Sequence, residues 1–306
     1  MGVLKIVRGR QHTALKVVLY GTEGIGKTSL AAQFPAPLIL DTEKGSNQLD
    51  VARAPITSWQ QLMLAVRELT VQPQGFQTIV VDSLDWAERL CKEHVCKDHG
   101  KKSLEDWAYG KGFNLFADTF ATLLAACDKL IDVGLHVVLV SHSKVVKVNP
   151  PDQSEGYDRY ELDLDKRNAP GAKEWADLLL FLNFRTKVVQ GDDGKARAIG
   201  GKERVMFAER CAAWDAKNRF GLPESMPMGV DGLRSLFASS EPPLHERMAT
   251  FIAEAKDVKV LGKMGDKIDA YESDGQLTAG QASELRDAID ARDRAIQQME
   301  AADAVA

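Results

Sequence analysis

Residues 16–28 read Lys-Val-Val-Leu-Tyr-Gly-Thr-Glu-Gly-Ile-Gly-Lys-Thr, an apolar, β-branched run that breaks into a glycine-rich turn ending in Lys-Thr. The run from Lys16 to Tyr20 predicts a strand buried on both faces, as in a parallel sheet covered by helices. Gly21, Gly26, Lys27 and Thr28 match the spacing G-x-x-x-x-G-K-[ST], in which glycines let successive backbone N–H groups converge on phosphate oxygens. Lys27 then reaches the β- and γ-phosphates and the Thr28 hydroxyl ligates Mg²⁺. The stretch Gly21, Thr22, Glu23, Gly24, Ile25, Gly26, Lys27, Thr28 and Ser29 is therefore expected to hold a nucleotide, with ATP and Mg²⁺ as cofactors, and to open a helix over 28–33.

Outward from this loop, short apolar runs alternate with helical patterns. Strands are expected at 37–40, 78–81, 136–140 and 178–184, and helices at 58–69, 84–95 and 113–133. This alternation predicts right-handed βαβ units and an α/β fold with a doubly wound, mainly parallel sheet. Beyond Phe184 the pattern predicts a hairpin, 186–190 and 196–199 about a Gly-Asp-Asp-Gly turn at 191–194, and one further strand over Arg204–Phe207. From about Pro242 the apolar residues fall at helical spacing: Leu244, Met248, Phe251 and Ile252, then Leu261, Met264, Ile268 and Tyr271. A turn at 273–275 follows, and Thr278 with Gln281 forms a capping box for a last helix carrying Leu285, Ile289, Ile296 and Met299. The organisation expected is a core over 1–240 and a C-terminal helical hairpin over 241–306.

The chain has 306 residues, 44% hydrophobic and 27% charged, and a formal net charge of −5. That balance fits a globular fold with a sizeable core and excludes a surface that is basic all over, so any nucleic-acid contact is confined to a local groove or loop. Four cysteines without a regular framework fit a reducing compartment. No apolar leader and no run of eighteen apolar residues is present, so the expectation is a soluble, cytoplasmic protein with no membrane contact.

Acidic residues at strand ends complete the nucleotide site. Asp82 closes Thr-Ile-Val-Val-Asp, the position from which a carboxylate holds the hydration shell of Mg²⁺. Asp85 reads as first-turn helix decoration. Glu43 follows another sheet strand and either activates the attacking water or is an ordinary loop carboxylate. His142, after the strand 136–140, either senses the γ-phosphate or is a satisfied structural histidine. Cys91, His94, Cys96 and His99 invite a zinc site, but helical spacing puts position 96 about halfway round from 91 and 94, which favours core and surface roles.

The order Gly-Thr-Glu-Gly-Ile-Gly-Lys-Thr, then Ile-Leu-Asp-Thr-Glu-Lys-Gly at 39–45, then Ile-Val-Val-Asp-Ser-Leu-Asp at 79–85 resembles that of RecA-type recombinase cores. Ala216–Pro223, Ala-Lys-Asn-Arg-Phe-Gly-Leu-Pro, looks like the Lys-Asn-Lys…Pro segment of the same family. With Tyr-Gly-Lys-Gly-Phe at 109–113, Val-Ser-His-Ser-Lys at 140–144 and Lys-Glu-Trp-Ala-Asp at 173–177, the chain is similar to phage-encoded RecA-like P-loop proteins, including Sak-type single-strand annealing proteins, over about 14–225. The resemblance implies that Glu43 is the catalytic glutamate. It also implies that Lys217 and Arg219 reach the γ-phosphate of a neighbouring subunit in a ring or filament. His142 stands where RecA has glutamine.

By the same resemblance, DNA is expected along 97–111 and 144–173, through Lys101, Lys102, Trp107, Lys111, Lys147, Arg159, Lys166 and Arg167. Cations interleaved with aromatics suit single-stranded nucleic acid, although the second segment also carries Asp152, Glu155, Asp158, Glu161, Asp163 and Asp165. The function implied is a DNA-coupled ATPase that binds single-stranded DNA and promotes annealing or pairing as a homo-oligomer. Its C-terminal helices would dock a single-strand-binding or other recombination protein. The alternative is a nucleotide-dependent protein-interaction switch with no nucleic-acid function.

Overall fold

The computed structural model describes residues 13–151, 155–190, 196–238, 244–255, 257–274 and 277–303. The expected turn at 191–194 and residue 275 of the turn at 273–275 lie outside the described residues. The chain divides into two compact units, Met1–Ser240 and Glu241–Ala306.

In the first unit the elements run β1 (Lys16–Gly21), α1 (Lys27–Ala31), β2 (Pro37–Asp41), β3 (Ala52–Pro55), α2 (Trp59–Val71), β4 (Thr78–Asp82), α3 (Leu84–Asp98), α4 (Lys111–Asp132) and β5 (His136–Val148). They continue with β6 (Tyr157–Leu162), α5 (Asn168–Trp175), β7 (Leu178–Gln190), β8 (Ala196–Phe207), β9 (Lys217–Asn218), β10 (Ser225–Pro227) and α6 (Arg234–Ala238). The sheet order is β10-β8-β7-β1-β5-β4-β2-β3, with β6 on β5 and β9 on β7. Strands β3, β2, β4, β5, β1 and β7 are parallel, while β8 pairs antiparallel with β7 and with β10.

Strand β1 explains why the sheet is covered twice. Val18 and Tyr20 pack into a core with α2, α3 and α4, whereas Val17 and Leu19 pack into a second core with Leu30 of α1 and Leu236 of α6. An alternating strand would leave one face wet; a continuously apolar one needs helices on both sides. The order also puts β5 between the glycine-rich loop's strand and β4. The three strand ends carrying Gly21, His142 and Asp82 are thereby adjacent, and β2 brings Asp41 level with Asp82.

Several expectations are corrected. The strand expected at 136–140 is longer: β5 continues to Val148 and pairs antiparallel with β6, forming a hairpin in which Lys144 faces Glu161 and Lys147 faces Asp158. Arg204–Phe207 is not a further strand but the end of β8, which runs unbroken from Ala196 and crosses from Gly200 to Arg204 opposite a bulge at Phe184–Thr186 of β7. Helix α1 ends at Ala31 rather than Gln33, in tight turns in which Gln33 N donates to Leu30 O and Phe34 N to Ala31 O.

The second unit is not a two-helix hairpin but three helices, α7 (Leu244–Glu254), α8 (Val258–Ser273) and α9 (Ala279–Asp303). Each apolar stripe forms its own helix, because Met248 and Ile252, Leu261 and Ile268, and Leu285 and Ile296 all converge on one small core. Thr278 and Gln281 exchange the two capping-box hydrogen bonds that start α9. No helix among the described residues is long and apolar enough to cross a membrane.

Candidate active site

The glycine-rich loop turns at Gly24 (φ 70°) and Gly26 (φ 104°), conformations in which a Cβ is costly. Gly21 is required for a different reason: a Cβ there would lie 2.1 Å from the Leu182 carbonyl oxygen of β7. Lys27 follows the last turn with 6% of its surface exposed, and its ammonium donates to the carbonyls of Gly21 (3.1 Å) and Thr22 (3.0 Å). Burial lowers its pKa, against the opposing pull of Asp85, Asp82, Glu43 and Glu23. One buried cation thus sits before a set of carboxylates, and that charge balance suits an incoming polyphosphate and cation together.

Asp82, 5% exposed, has its pKa raised from 3.8 to about 6. Burial is the main cause and the charges of Glu43 and Asp41 add to it, while the Thr28 hydroxyl and Lys27 oppose it. A buried carboxylate held reluctantly ionised beside a hydroxyl is an all-oxygen donor set that fits a hard divalent cation such as Mg²⁺. Between pH 3.8 and about 6 the unfolded chain ionises this group first. The folded state then binds more protons, so the stability this group contributes falls as pH rises through that window. Asp82→Asn should therefore raise the thermal midpoint above pH 7, by up to about 3 kcal/mol in stability, and hardly at pH 4. Melting curves of variant and wild type whose separation does not grow with pH would contradict the assigned penalty.

Glu43 is placed by its neighbours. The Asp41 carboxylate accepts from the backbone N–H of Glu43 (3.2 Å), Lys44 (2.5 Å) and Ser46 (3.2 Å), and from the Ser46 hydroxyl (2.5 Å). Burial raises the Asp41 pKa, but these hydrogen bonds outweigh it and hold the group below its usual value. Thr42 ties this loop to the end of β4: its hydroxyl accepts from Ser83 N (2.8 Å) and donates to Ser83 O (2.9 Å), and its own N–H donates to Asp82 O. The peptide between Asp82 and Ser83 is cis. Glu43, half-buried, is close enough for its charge to bear on Lys27, Asp82 and His142 alike.

His142 ends the inserted strand's core segment, between Gly21 and Asp82. Its Nδ1 pairs with the Asp85 carboxylate at 3.0 Å, and its backbone N–H donates to the same carboxylate at 3.0 Å. The Asp85 hydrogen bond raises the His142 pKa, and the pairing lowers that of Asp85 against the effect of burial. Asp85 is therefore not helix decoration. It is 3% exposed and fixes the orientation of His142, leaving Nε2 as the nitrogen outside the pair. Its position in the first turn of α3 looks like that of any capping acid, and only the adjacency of β5 and β4 reveals the partner.

Lys217 and Arg219 lie elsewhere. β9 pairs with the start of β7, where Leu178 is level with Val17, whereas the glycine-rich loop leaves β1 at Gly21, level with Leu182. The separation along the strands is about 13 Å at about 3.3 Å per residue, so this pair lies toward the opposite ends of the strands from the chain's own loop. Lys217 donates to Glu174 O at 2.8 Å, and Arg219 pairs with Asp177 at 2.6 Å.

The residues named for DNA fall into two groups. Lys101, Lys102, Lys111, Lys147, Lys166 and Arg167 are exposed. Leu104 of the first segment shares a ≈ 280 Å³ pocket with Lys144 and Asp163–Asp165 of the second, and the Arg167 guanidinium lies 4.8 Å over the neighbouring Phe113 ring. Lys147 and Lys166 line a neighbouring groove of ≈ 560 Å³ between the β5–β6 hairpin and α5. Arg159 and Trp107 are engaged within the protein. Arg159 is 13% exposed and paired with Asp215. The Trp107 ring is half-buried, packed on Gly112 and edge-on to His99. Cys91 and Cys96 are buried in the core and His94 pairs with Gln60, so their side chains do not converge.

A family model described as AAA domain matches residues 13–220. The SPbeta prophage-derived uncharacterized protein YorG of Bacillus subtilis (strain 168) is 27% identical over 175 residues, covering 55% of this chain and 50% of that protein. The chain thus spans about half the length of the curated relative it matches. Among solved structures, the flagellar accessory protein FlaH from Methanocaldococcus jannaschii aligns with a TM-score of 0.33 and 10% identity, over 71% of this chain and 87% of that one.

Proposed function

The chain belongs to the AAA domain family, and on that premise we propose that it is a phage-derived, RecA-like ATPase that couples hydrolysis to binding single-stranded DNA, and promotes annealing or pairing as a homo-oligomer. The observation that carries the reading is the convergence of Lys27, Asp82, Glu43 and the Asp85–His142 pair on one edge of the sheet. The prophage origin of the Bacillus relative supports the phage source.

In this reading ATP lies on the glycine-rich loop, with Lys27 and the loop N–H groups on its phosphates. Thr28 and Asp82 would hold Mg²⁺, which when bound neutralises charge on the β- and γ-phosphate oxygens. Glu43 orients the attacking water and takes up its proton as the new bond to the γ-phosphorus forms. The bond from the γ-phosphorus to the bridging oxygen breaks, and ADP leaves with that oxygen. His142, held by Asp85, faces the γ-phosphate end, and its backbone leads into the β5–β6 hairpin, where Asp163 N donates to His142 O. Because Lys217 and Arg219 lie toward the opposite ends of the strands from the chain's own loop, in this reading they supply transition-state cations only to a neighbour's nucleotide.

For DNA, the exposed cations Lys101, Lys102, Lys111, Lys147, Lys166 and Arg167 are the contacts. The acidity of the 144–173 segment is partly spent internally, Asp163 being paired with Lys144. The test is steady-state ATPase activity against protein concentration, with and without single-stranded DNA, at two salt concentrations. The reading expects turnover per subunit to rise with protein concentration, and DNA stimulation to fade with salt as phosphate contacts are screened. Turnover indifferent to DNA at both salts would overturn the DNA coupling and leave the protein-interaction switch.

A further inference from the structure

We propose that Arg204 is a nucleotide-binding residue that grips the phosphate nearest the ribose, from the sheet edge opposite the metal and water side. The proposal rests on the nucleotide reading of the glycine-rich loop. The guanidinium lies against that loop: a Cβ built on Gly26 would come 3.1 Å from an Arg204 terminal nitrogen and 3.1 Å from the Met228 methyl. Gly26 therefore both takes its left-handed turn and leaves room for these two side chains. Arg204 is delivered by β8, opposite Phe184 of β7, and Met228 is tied beside it because its N–H donates to the Arg204 carbonyl at 3.0 Å.

Two observations make this a ligand contact rather than a structural one. The Arg204 side chain is exposed, and no carboxylate, carbonyl or ring among the described residues engages it. Two other described arginines on the sheet are occupied, Arg185 with Glu203 and Arg159 with Asp215. A guanidinium carries five donors in a planar fork matched to phosphate oxygens, and here the fork is free beside a phosphate-binding loop.

The order of the strands assigns which phosphate. From β1, the acids and His142 lie on the side of β5, β4 and β2, whereas Arg204 lies two strands away on the other side, through β7 to β8. A nucleotide with its γ-phosphate toward Glu43 and His142 runs back toward Arg204 with its α-phosphate and ribose. Arg204 then holds what ATP and ADP share, and it contributes equally to both.

The experiment is calorimetric titration of wild type, Arg204→Met and Arg204→Lys with Mg²⁺-ADP and a Mg²⁺-bound non-hydrolysable ATP analogue. The methionine keeps the apolar stem and removes the charge, and because the side chain is exposed, thermal melting should match wild type. Loss of charge-assisted hydrogen bonds predicts a Kd raised about 10- to 30-fold for both ligands by the same factor, with Arg204→Lys intermediate. If wild type binds both and Arg204→Met binds them as tightly, the assignment of Arg204 falls while the nucleotide reading stands. A loss confined to the triphosphate analogue would also overturn it, by moving the contact to the γ-phosphate. If wild type binds neither ligand, the nucleotide reading itself falls and this proposal with it.

Discussion

Lys27→Ala is expected to reduce ATP turnover by at least about 10²- to 10³-fold, the scale of removing one preorganised group that stabilises transition-state charge. Two effects act in the same direction. The variant loses the ammonium that meets the phosphates. It also leaves Asp82, Asp85, Glu43 and Glu23 without the cation whose field they share, so an incoming polyphosphate meets uncompensated negative charge. The loss should therefore appear in binding as well as in turnover. Equilibrium nucleotide binding and single-turnover hydrolysis, measured on a variant with an unchanged circular dichroism spectrum, provide the check. Turnover within about threefold of wild type would exclude Lys27 from the site.

Glu43→Gln separates binding from chemistry. The amide keeps the length and hydrogen-bonding reach of the side chain but cannot accept the proton of the attacking water, so kcat should fall by about 10²- to 10⁴-fold. Affinity for ATP should hold or tighten, because one negative charge is removed from beside the phosphates and from beside Asp82, whose pKa Glu43 helps to raise. The expected species is a protein that loads ATP and retains it, seen by quenching the reaction and separating bound ATP from ADP. An unchanged kcat would rule out Glu43 as the base and direct attention to His142, whose ring shares the same cluster.

The difference between these two variants reflects how each residue is held. Lys27 is fixed by its position immediately after the Gly26 turn, so the local sequence suffices to place it. Glu43 depends on a loop shaped by Asp41, whose carboxylate gathers four donors, and on Thr42 stitching that loop to the end of β4. A change at Asp41 should thus imitate Glu43→Gln through misplacement, although Asp41 itself is committed to hydrogen bonds within the loop.

Local sequence also explains which site residues could be named in advance. The continuously apolar β1 required cover on both faces, and the glycine spacing of the loop required left-handed turns at fixed positions. Asp82 followed from being the terminal residue of an apolar strand. These features depend on near neighbours in the chain, and periodicity and steric demands carry them. The helical pattern beyond residue 244 likewise gave the apolar stripes. It did not give their number as packed helices, because three short stripes close a core only when all three meet.

The remainder needed the tertiary structure, because it depends on residues far apart in sequence meeting at strand ends. Asp85 acquires its role from His142, 57 residues away, once β5 is inserted beside β4. Arg204 comes to lie against Gly26 only through the β7–β8 pairing. Arg159, one of a run of charged residues in the sequence, pairs with Asp215, and Trp107 packs on Gly112. Lys217 and Arg219 were visible as a basic pair, but their distance from the chain's own loop follows only from the register of β9 on β7. The sequence by itself determined the phosphate-binding loop and the strands that frame it, because backbone sterics and apolar periodicity are local. Which charges face that loop and which are spent on one another was decided by sheet order and register, which no local pattern encodes.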